Sequence, residues 1–440
     1  MKTSEQRTLT REQKEAVGLL SIGTFLEYFD LMLFVHMAVL LNELFFPKTD
    51  PFTASLLAAF AFCSTYLLRP IGALIFGYIG DNIGRKHTVI ITTMMMSGSC
   101  VVMSVLPTYA EIGITASYTI IICRIIQGMS SMGEIIGAQV YLSEIVKRPI
   151  QYAAVSFASN FSTVGSMAAL GVASLATSSI TSFNWRFAFL IGAGIALIGS
   201  YARKALRETP EFADARKRLI LTKGNNHYKD INIKTILAYF AIECAYPVWF
   251  YILYVYLGQV LKDKFELTPH QVITNNLYVS IVGCIATFVI VYIVRTVHPF
   301  KILNIRLAAS FVLGVGFLLL DAMDSPIQIM VFQMCIAAFK VTSFPAMSIF
   351  FKHFPTLHRF KCSSMVYAMS RTVMSLITTF GIIYLVRGYG YPAICIILFP
   401  ILISYAIALK YFQKLETEGN NPQNPKTYDT SYNKSHNPVY

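Results

Sequence analysis

The sequence holds 440 residues, 55% of them hydrophobic and only 13% charged, with a formal net charge of +13. Soluble domains carry about 25% charged residues, so this composition excludes an ordinary soluble protein and points to an all-α polytopic membrane protein. The basic excess would suit nucleic acid, but no soluble segment interleaves basic and aromatic residues as such binding requires, and no nucleic-acid partner is expected.

A helix needs about 20 apolar residues to cross about 30 Å of hydrocarbon, whereas barrel strands would be near 10 residues long and alternating. Residues 1–16 are polar and form an N-terminal segment. Six long apolar stretches follow, at 17–41, 54–79, 88–107, 117–141, 153–177 and 185–205, and make a first half, 17–205. The first of them is too long for a signal-peptide core and is read as a retained span. Residues 206–234, the longest polar stretch within the array, read as a linker. Six more stretches, at 235–261, 272–294, 302–320, 327–351, 363–386 and 391–412, make a second half, 235–412. The second half begins 218 residues after the first, about half the chain, as two six-helix repeats would give. Residues 413–440 have almost no aliphatic side chains, cannot bury a core, and read as a disordered tail. The expectation is twelve transmembrane helices in two six-helix halves.

Of the 36 Lys and Arg residues, 27 fall on the side carrying both termini, four (Lys48, Lys262, Lys264, Arg387) on the other, and five within or at the edges of spans. That lopsidedness places both termini in the cytoplasm; the location expected is the cell (inner) membrane. The eight cysteines are scattered singly, with no spacing for a disulfide or metal framework. No HExxH or GxSxG constellation is present, so neither an enzyme nor a cofactor is expected.

Between spans two and three lies Gly77-Tyr78-Ile79-Gly80-Asp81-Asn82-Ile83-Gly84-Arg85-Lys86. Glycines allow close helix packing, an Asp can accept from helix N-terminal amides, and Arg and Lys can grip the last carbonyls of a neighbouring helix. The segment resembles the loop signature of the major facilitator superfamily, with Gly77, Asp81, Gly84, Arg85 and Lys86 as a conformational gate. Further stretches narrow the resemblance: Gly23 to Asp30, Leu68-Arg69-Pro70-Ile71-Gly72, Arg124 to Gly128 with Gly133-Glu134, Asn184 to Phe187, and Leu206 to Phe212. They look like the metabolite:proton symporter group, which contains the proline/betaine, α-ketoglutarate, citrate and shikimate transporters. The second half matches less well, since the repeat of the loop signature at 295–301 lacks its Gly-x-x-x-Asp core.

Charges at membrane depth are costly and mark pathways or partners. Four acids (Glu27, Asp30, Glu134, Glu243) and four bases (Arg69, Arg124, Lys340, Arg371) fall within spans. Counting about 1.5 Å per helical residue, Glu27 and Arg69 match in depth, as do Glu243 and Arg371. Glu27 and Asp30 are three residues apart on one helical face, and two such acids disfavour double ionisation. Glu27 or Asp30 is therefore assigned to carry the driving proton, with Arg69 or Arg124 as counter-charge, the alternative being a static ion pair; Glu134, nearer the cytoplasm, joins this group or serves helix packing. Arg124, Lys340, Arg371 and Glu243 are assigned to a solute cavity, with Asn160 from a polar stripe on span five (Ser156, Asn160, Thr163). Tyr246 and Trp249 of an aromatic cluster on span seven join them, either as a cage for a quaternary ammonium or as core and interfacial belt.

The function expected is secondary active transport by alternating access, coupled to protons, of a small zwitterion of the proline/betaine kind. A di- or tricarboxylate is the alternative; a channel or an intramembrane enzyme is the alternative of a different class. The partners implied are a small-molecule solute, protons and membrane lipids, with the protein acting as a monomer and the proton gradient in place of any cofactor.

Overall fold

Long apolar runs leave the backbone no polar partner but itself, and in hydrocarbon that condition selects helices. The computed structural model describes residues 6–36, 41, 44–47, 66–177, 185–203, 232–356 and 358–419. The expected linker at 206–234, the outer part of span two and the end of the tail lie almost wholly outside these residues. The first half contributes α1 (Arg11–His36), α2 (Arg69–Asn82), α3 (Arg85–Val105), α4 (Ile114–Ile145), α5 (Ile150–Thr177) and α6 (Trp185–Arg203). The second contributes α7 (Ile233–Phe265), then α8 (Pro269–Ile293), α9 (Pro299–Gly316), α10 (Pro326–Phe339), α11 (Arg359–Tyr389) and α12 (Ile394–Gly419). Among the described residues seven helices are long and apolar enough to cross a membrane, and α10 is a shorter apolar helix.

Small residues set how closely these helices approach. A Cβ on Gly165 of α5 would stand 2.2 Å from the Phe25 carbonyl oxygen of α1, and one on Gly72 of α2 would stand 2.4 Å from that of Met129 on α4. Between halves, α2 packs along α11 and α5 along α8.

Among the described residues, two helices beside a cavity between the halves depart from regularity, each for a readable reason. Pro247 sits inside α7 and removes the N–H that would have bonded the Glu243 carbonyl; a π turn follows at Tyr251–Tyr256. Carbonyls there are served by side chains: Gln333 donates to Leu253 O at 2.9 Å and Asn276 to Tyr254 O at 3.2 Å. The tenth span, expected as one helix over 327–351, instead stops at Phe339 and resumes only as a short helix, Met347–Lys352. Pro345 lies in the gap, and a proline disfavours helix both at its own missing N–H and at the residue before it. Irregular backbone at membrane depth survives only where protein or a cavity serves its polar groups. Here Val341 N donates to Ser310 Oγ at 2.8 Å and Tyr405 Oη donates to Thr342 O at 2.8 Å.

At both ends the described helices reach beyond the bounds expected from sequence. The helix α1 begins at Arg11 rather than near residue 17, and Gln6 pairs with the α4–α5 turn, donating to Arg148 O at 3.0 Å and accepting from Ile150 N at 3.2 Å. The helix α12 continues to Gly419, correcting a tail expected to be disordered from residue 413. Its extension is held by Glu416, which lies 2.9 Å from Arg148 of the first half, 3.5 Å from Lys352 and 3.1 Å from His353 Nε2, the last without hydrogen-bond geometry. Nearby, His298 caps α9 by accepting from Phe300 N at 3.3 Å. Burial lowers its pKa, which suits the neutral imidazole that such acceptance requires.

Two outcomes follow for thermal unfolding in detergent. Gly72→Val and Gly165→Val destabilise by about 1–3 kcal/mol or more through overpacking, whereas Gly171→Val, whose added Cβ meets nothing within 4 Å, leaves the transition near its place. In a double-mutant cycle, Arg148→Gln and Glu416→Gln couple by about 0.5–3 kcal/mol; strict additivity would mean the pair holds nothing.

Candidate functional site

In the first half each of the two membrane-depth acids of α1, Glu27 and Asp30, has its own guanidinium. Glu27 Oε1 meets Arg69 Nη2 at 3.0 Å with both side chains 2% exposed. Arg69 also lies over the Tyr66 ring, 4.6 Å from its centroid. Asp30 Oδ2 meets Arg124 Nη1 at 3.3 Å; the same nitrogen donates to Gln127 Oε1 at 2.9 Å, and Cys100 Sγ donates to Asp30 Oδ1 at 3.4 Å. Although Glu27 and Asp30 share a helical face, separate counter-charges relieve the repulsion expected between them. Arg124, expected either as counter-charge to the α1 acids or on the solute cavity, is buried against Asp30 and does not line the cavity. Glu134 lies on α4, and its side chain falls outside those described.

In the second half, Arg371 of α11 is held at two points by one residue of α7. Its Nη2 meets Glu243 Oε2 at 3.1 Å, and its Nη1 donates to the Glu243 backbone oxygen at 2.6 Å. That oxygen is the one Pro247 leaves without a helical partner. Arg371 further stacks over Tyr246 and Tyr367, 4.5 and 4.2 Å from their centroids. Across the halves, Tyr28 and Tyr367 hydroxyls lie 3.3 Å apart, and Thr372 Oγ1 donates to Tyr66 O at 2.8 Å.

Between the halves lies a cavity of about 120 Å³, on a scale where one water needs about 10–15 Å³, so it has room for a solute of metabolite size. From α5 it takes Asn160 and Thr163; both polar atoms of the Asn160 side chain are buried without a partner among the described residues. Ser156, expected on the same stripe, is not on the wall. From α7 come Tyr246, Phe250 and Tyr254, the rings of the last two 5.4 Å apart. Trp249, expected with them, is fully buried and off the wall: it lies in the regular part of α7, and at 3.6 residues per turn it faces about 100° away from its neighbour Phe250. Lys340 and Arg371 line the cavity, whereas Glu243 is 0% exposed behind Arg371 and is not on its wall. The sequence reading missed Arg306. It was counted with the loop bases, yet it lies on α9, 7% exposed, with its guanidinium on the cavity wall. The available signal was its place four residues inside an apolar span, one turn before Ser310.

The signature loop makes a joint between halves. A Cβ on Gly77 would stand 2.9 Å from Lys361 Cα, and one on Gly80 would stand 3.0 Å from the Phe360 ring. Asp81 Oδ2 accepts from Lys361 N at 2.9 Å, in the first turn of α11, where amides lack helical partners and the dipole favours an anion. Gly84 has φ of 146°, which L side chains rarely adopt. Lys86 is in the first turn of α3; the Arg85 side chain is outside those described. Alongside, Arg359 of α11 meets Glu144 of α4 at 3.3 Å.

A family model described as Major Facilitator Superfamily matches residues 20–381. The proline/betaine transporter of Salmonella typhimurium strain LT2 is 30% identical over 271 residues, covering 57% of this chain and 53% of that protein. The inner membrane metabolite transport protein YhjE of Escherichia coli strain K12 is 34% identical over 244 residues, covering 53% and 55%. The chain thus spans about half the length of the curated relatives it matches. Among solved structures, the proton:xylose symporter XylE bound to 6-bromo-6-deoxy-D-glucose aligns with a TM-score of 0.74 at 16% identity, covering 91% of this chain and 95% of that one. A double-tryptophan XylE variant aligns with a TM-score of 0.76 at 15% identity over the same shares. At such identity the likeness shows the fold, two six-helix halves, and nothing of the solute. The chain belongs to the Major Facilitator Superfamily.

Proposed function

We propose that the chain is a secondary active carrier that moves a small zwitterion of the proline/betaine kind together with protons, by alternating access. It works as a monomer in the cytoplasmic (inner) membrane, with both termini in the cytoplasm and the proton gradient in place of a cofactor. The observation that carries this reading is the cavity between the halves, because its walls differ in kind. Phe250 and Tyr254 offer ring faces to a quaternary or secondary ammonium. Lys340 supplies a cation for a carboxylate, and the partnerless Asn160 offers hydrogen bonds to either end. The proline/betaine transporter among the relatives supports the same solute class.

Coupling is assigned to the α1 acids. Protonating Glu27 or Asp30 would release Arg69 or Arg124 from its ion pair, and a buried pair that loses one charge leaves the other uncompensated. The protonation state of α1 is therefore tied to how the halves pack. Asp81 and the Arg148–Glu416 pair close one end of the cleft and would part when it opens. A second reading, transport of a di- or tricarboxylate, is favoured by one specific observation: the cavity wall carries three cations and, among the described residues, no acid.

Proteoliposomes loaded at neutral pH and given an inward proton gradient test the assignment with labelled proline, glycine betaine, α-ketoglutarate and citrate. Accumulation of a zwitterion is expected in the wild type and is lost in Glu27→Gln, in Asp30→Asn, or in both. Gradient-driven accumulation retained by both variants removes the coupling role of α1. Accumulation of the dicarboxylate or tricarboxylate alone selects the second reading.

A further inference from the structure

Of the three cations on the cavity wall, two meet no acid among the described residues. Arg371 is satisfied by the Glu243 carboxylate and by the carbonyl that Pro247 frees. Arg306 is 7% exposed, its Nε is buried with no hydrogen-bond partner, and among the described residues its guanidinium makes no ion pair. Lys340 is the C-cap of α10, where the helix breaks, and lines the cavity. Its side chain likewise meets no acid among the described residues, and it lies near enough to Arg306 for the two charges to repel. Two like charges drawn out of water and held together destabilise a fold unless an anion joins them.

The surroundings hold this pair in place. Arg306 and Ser310 lie one turn apart on α9, and Ser310 fixes the broken segment by accepting from Val341 N. Tyr405 fixes the next carbonyl of the same segment. The break that carries Lys340 to the wall and the helix that carries Arg306 are thus bonded to each other, so the spacing of the two cations is set by the fold. Guanidinium presents a planar fork of donors and ammonium a compact point charge; together they suit a carboxylate, with two oxygens to share.

We propose that Arg306 and Lys340 form a carboxylate-binding subsite on the second-half wall of the cavity. The proposal rests on the reading of this cavity as the place where solute sits. It assigns Arg371 a different task, holding α7 to α11, although that residue also faces the cavity.

Equilibrium binding to purified protein in lipid nanodiscs tests it, by calorimetry with proline, glycine betaine, α-ketoglutarate and citrate. Whichever of these binds the wild type is expected to bind Arg306→Gln and Lys340→Gln about tenfold or more weakly, the loss of one charge-assisted bond. Arg306→Lys and Lys340→Arg, which keep the charge, are expected to recover part of that loss and serve where a Gln variant does not fold. For glycine betaine the comparison is choline, which lacks the carboxylate: its affinity is expected to change little in either Gln variant. Affinities within about twofold of wild type in both Gln variants, or no binding of any of the four to the wild type, overturn the subsite. Uptake separates the two ideas. A wild type that binds as expected but accumulates nothing contradicts the carrier reading and leaves the subsite standing, while accumulation indifferent to both Gln variants does the reverse.

Discussion

A charge inside hydrocarbon must be answered by another charge or by hydrogen bonds, and the interior of this protein is arranged around that demand. Glu27 with Arg69, Asp30 with Arg124 and Glu243 with Arg371 each join two helices. Each pair is therefore also a packing decision: α1 is fixed to α2 and α4, and α7 to α11. Breaking such a pair by neutralising one member leaves the other exposed to the full desolvation penalty. For that reason, under the proposed coupling, a proton arriving on Glu27 or Asp30 would act on helix packing rather than only locally.

The same logic explains where the backbone is irregular. The two breaks, Pro247 in α7 and the gap before Met347, both lie beside the cavity, and each exposes carbonyls that a regular helix would have consumed. At the first, Arg371 takes the freed oxygen and is thereby tied down. At the second, Ser310 and Tyr405 take the polar groups and Lys340 is left facing the cleft. One break thus uses up a cation and the other presents one, which is how two prolines come to divide the cavity charges into internal and available.

Much of this was legible in the sequence because the governing signals are local. Hydropathy marks spans, the Gly77 to Lys86 loop marks the fold, and equal depth brought Glu27 to Arg69 and Glu243 to Arg371. What was not legible depends on azimuth and on tertiary contact. Depth alone could not say that Arg124 faces Asp30, or that Trp249 turns into the core while Tyr246 and Phe250 turn to the cavity. Arg306 was lost among loop bases because a span boundary set by hydropathy is soft by several residues. The break in the tenth span had a cue in Pro345, but a proline in a membrane helix kinks as often as it interrupts, and only the partners of Val341 and Thr342 distinguish the two. The ordered end of α12 had no compositional signal at all, since Glu416 is held by residues from distant parts of the chain.

The account's central claim is that solute binding in the cavity is coupled to protonation of the α1 acids, and the direct measurement is proton movement on solute binding. Purified protein in a weakly buffered medium with a pH-indicator dye is mixed with the solute that it binds. Net proton uptake in the wild type, abolished in a variant carrying both Glu27→Gln and Asp30→Asn that still binds the solute, is the predicted result. Saturating solute that moves no protons in the wild type, across the neutral pH range, would contradict it.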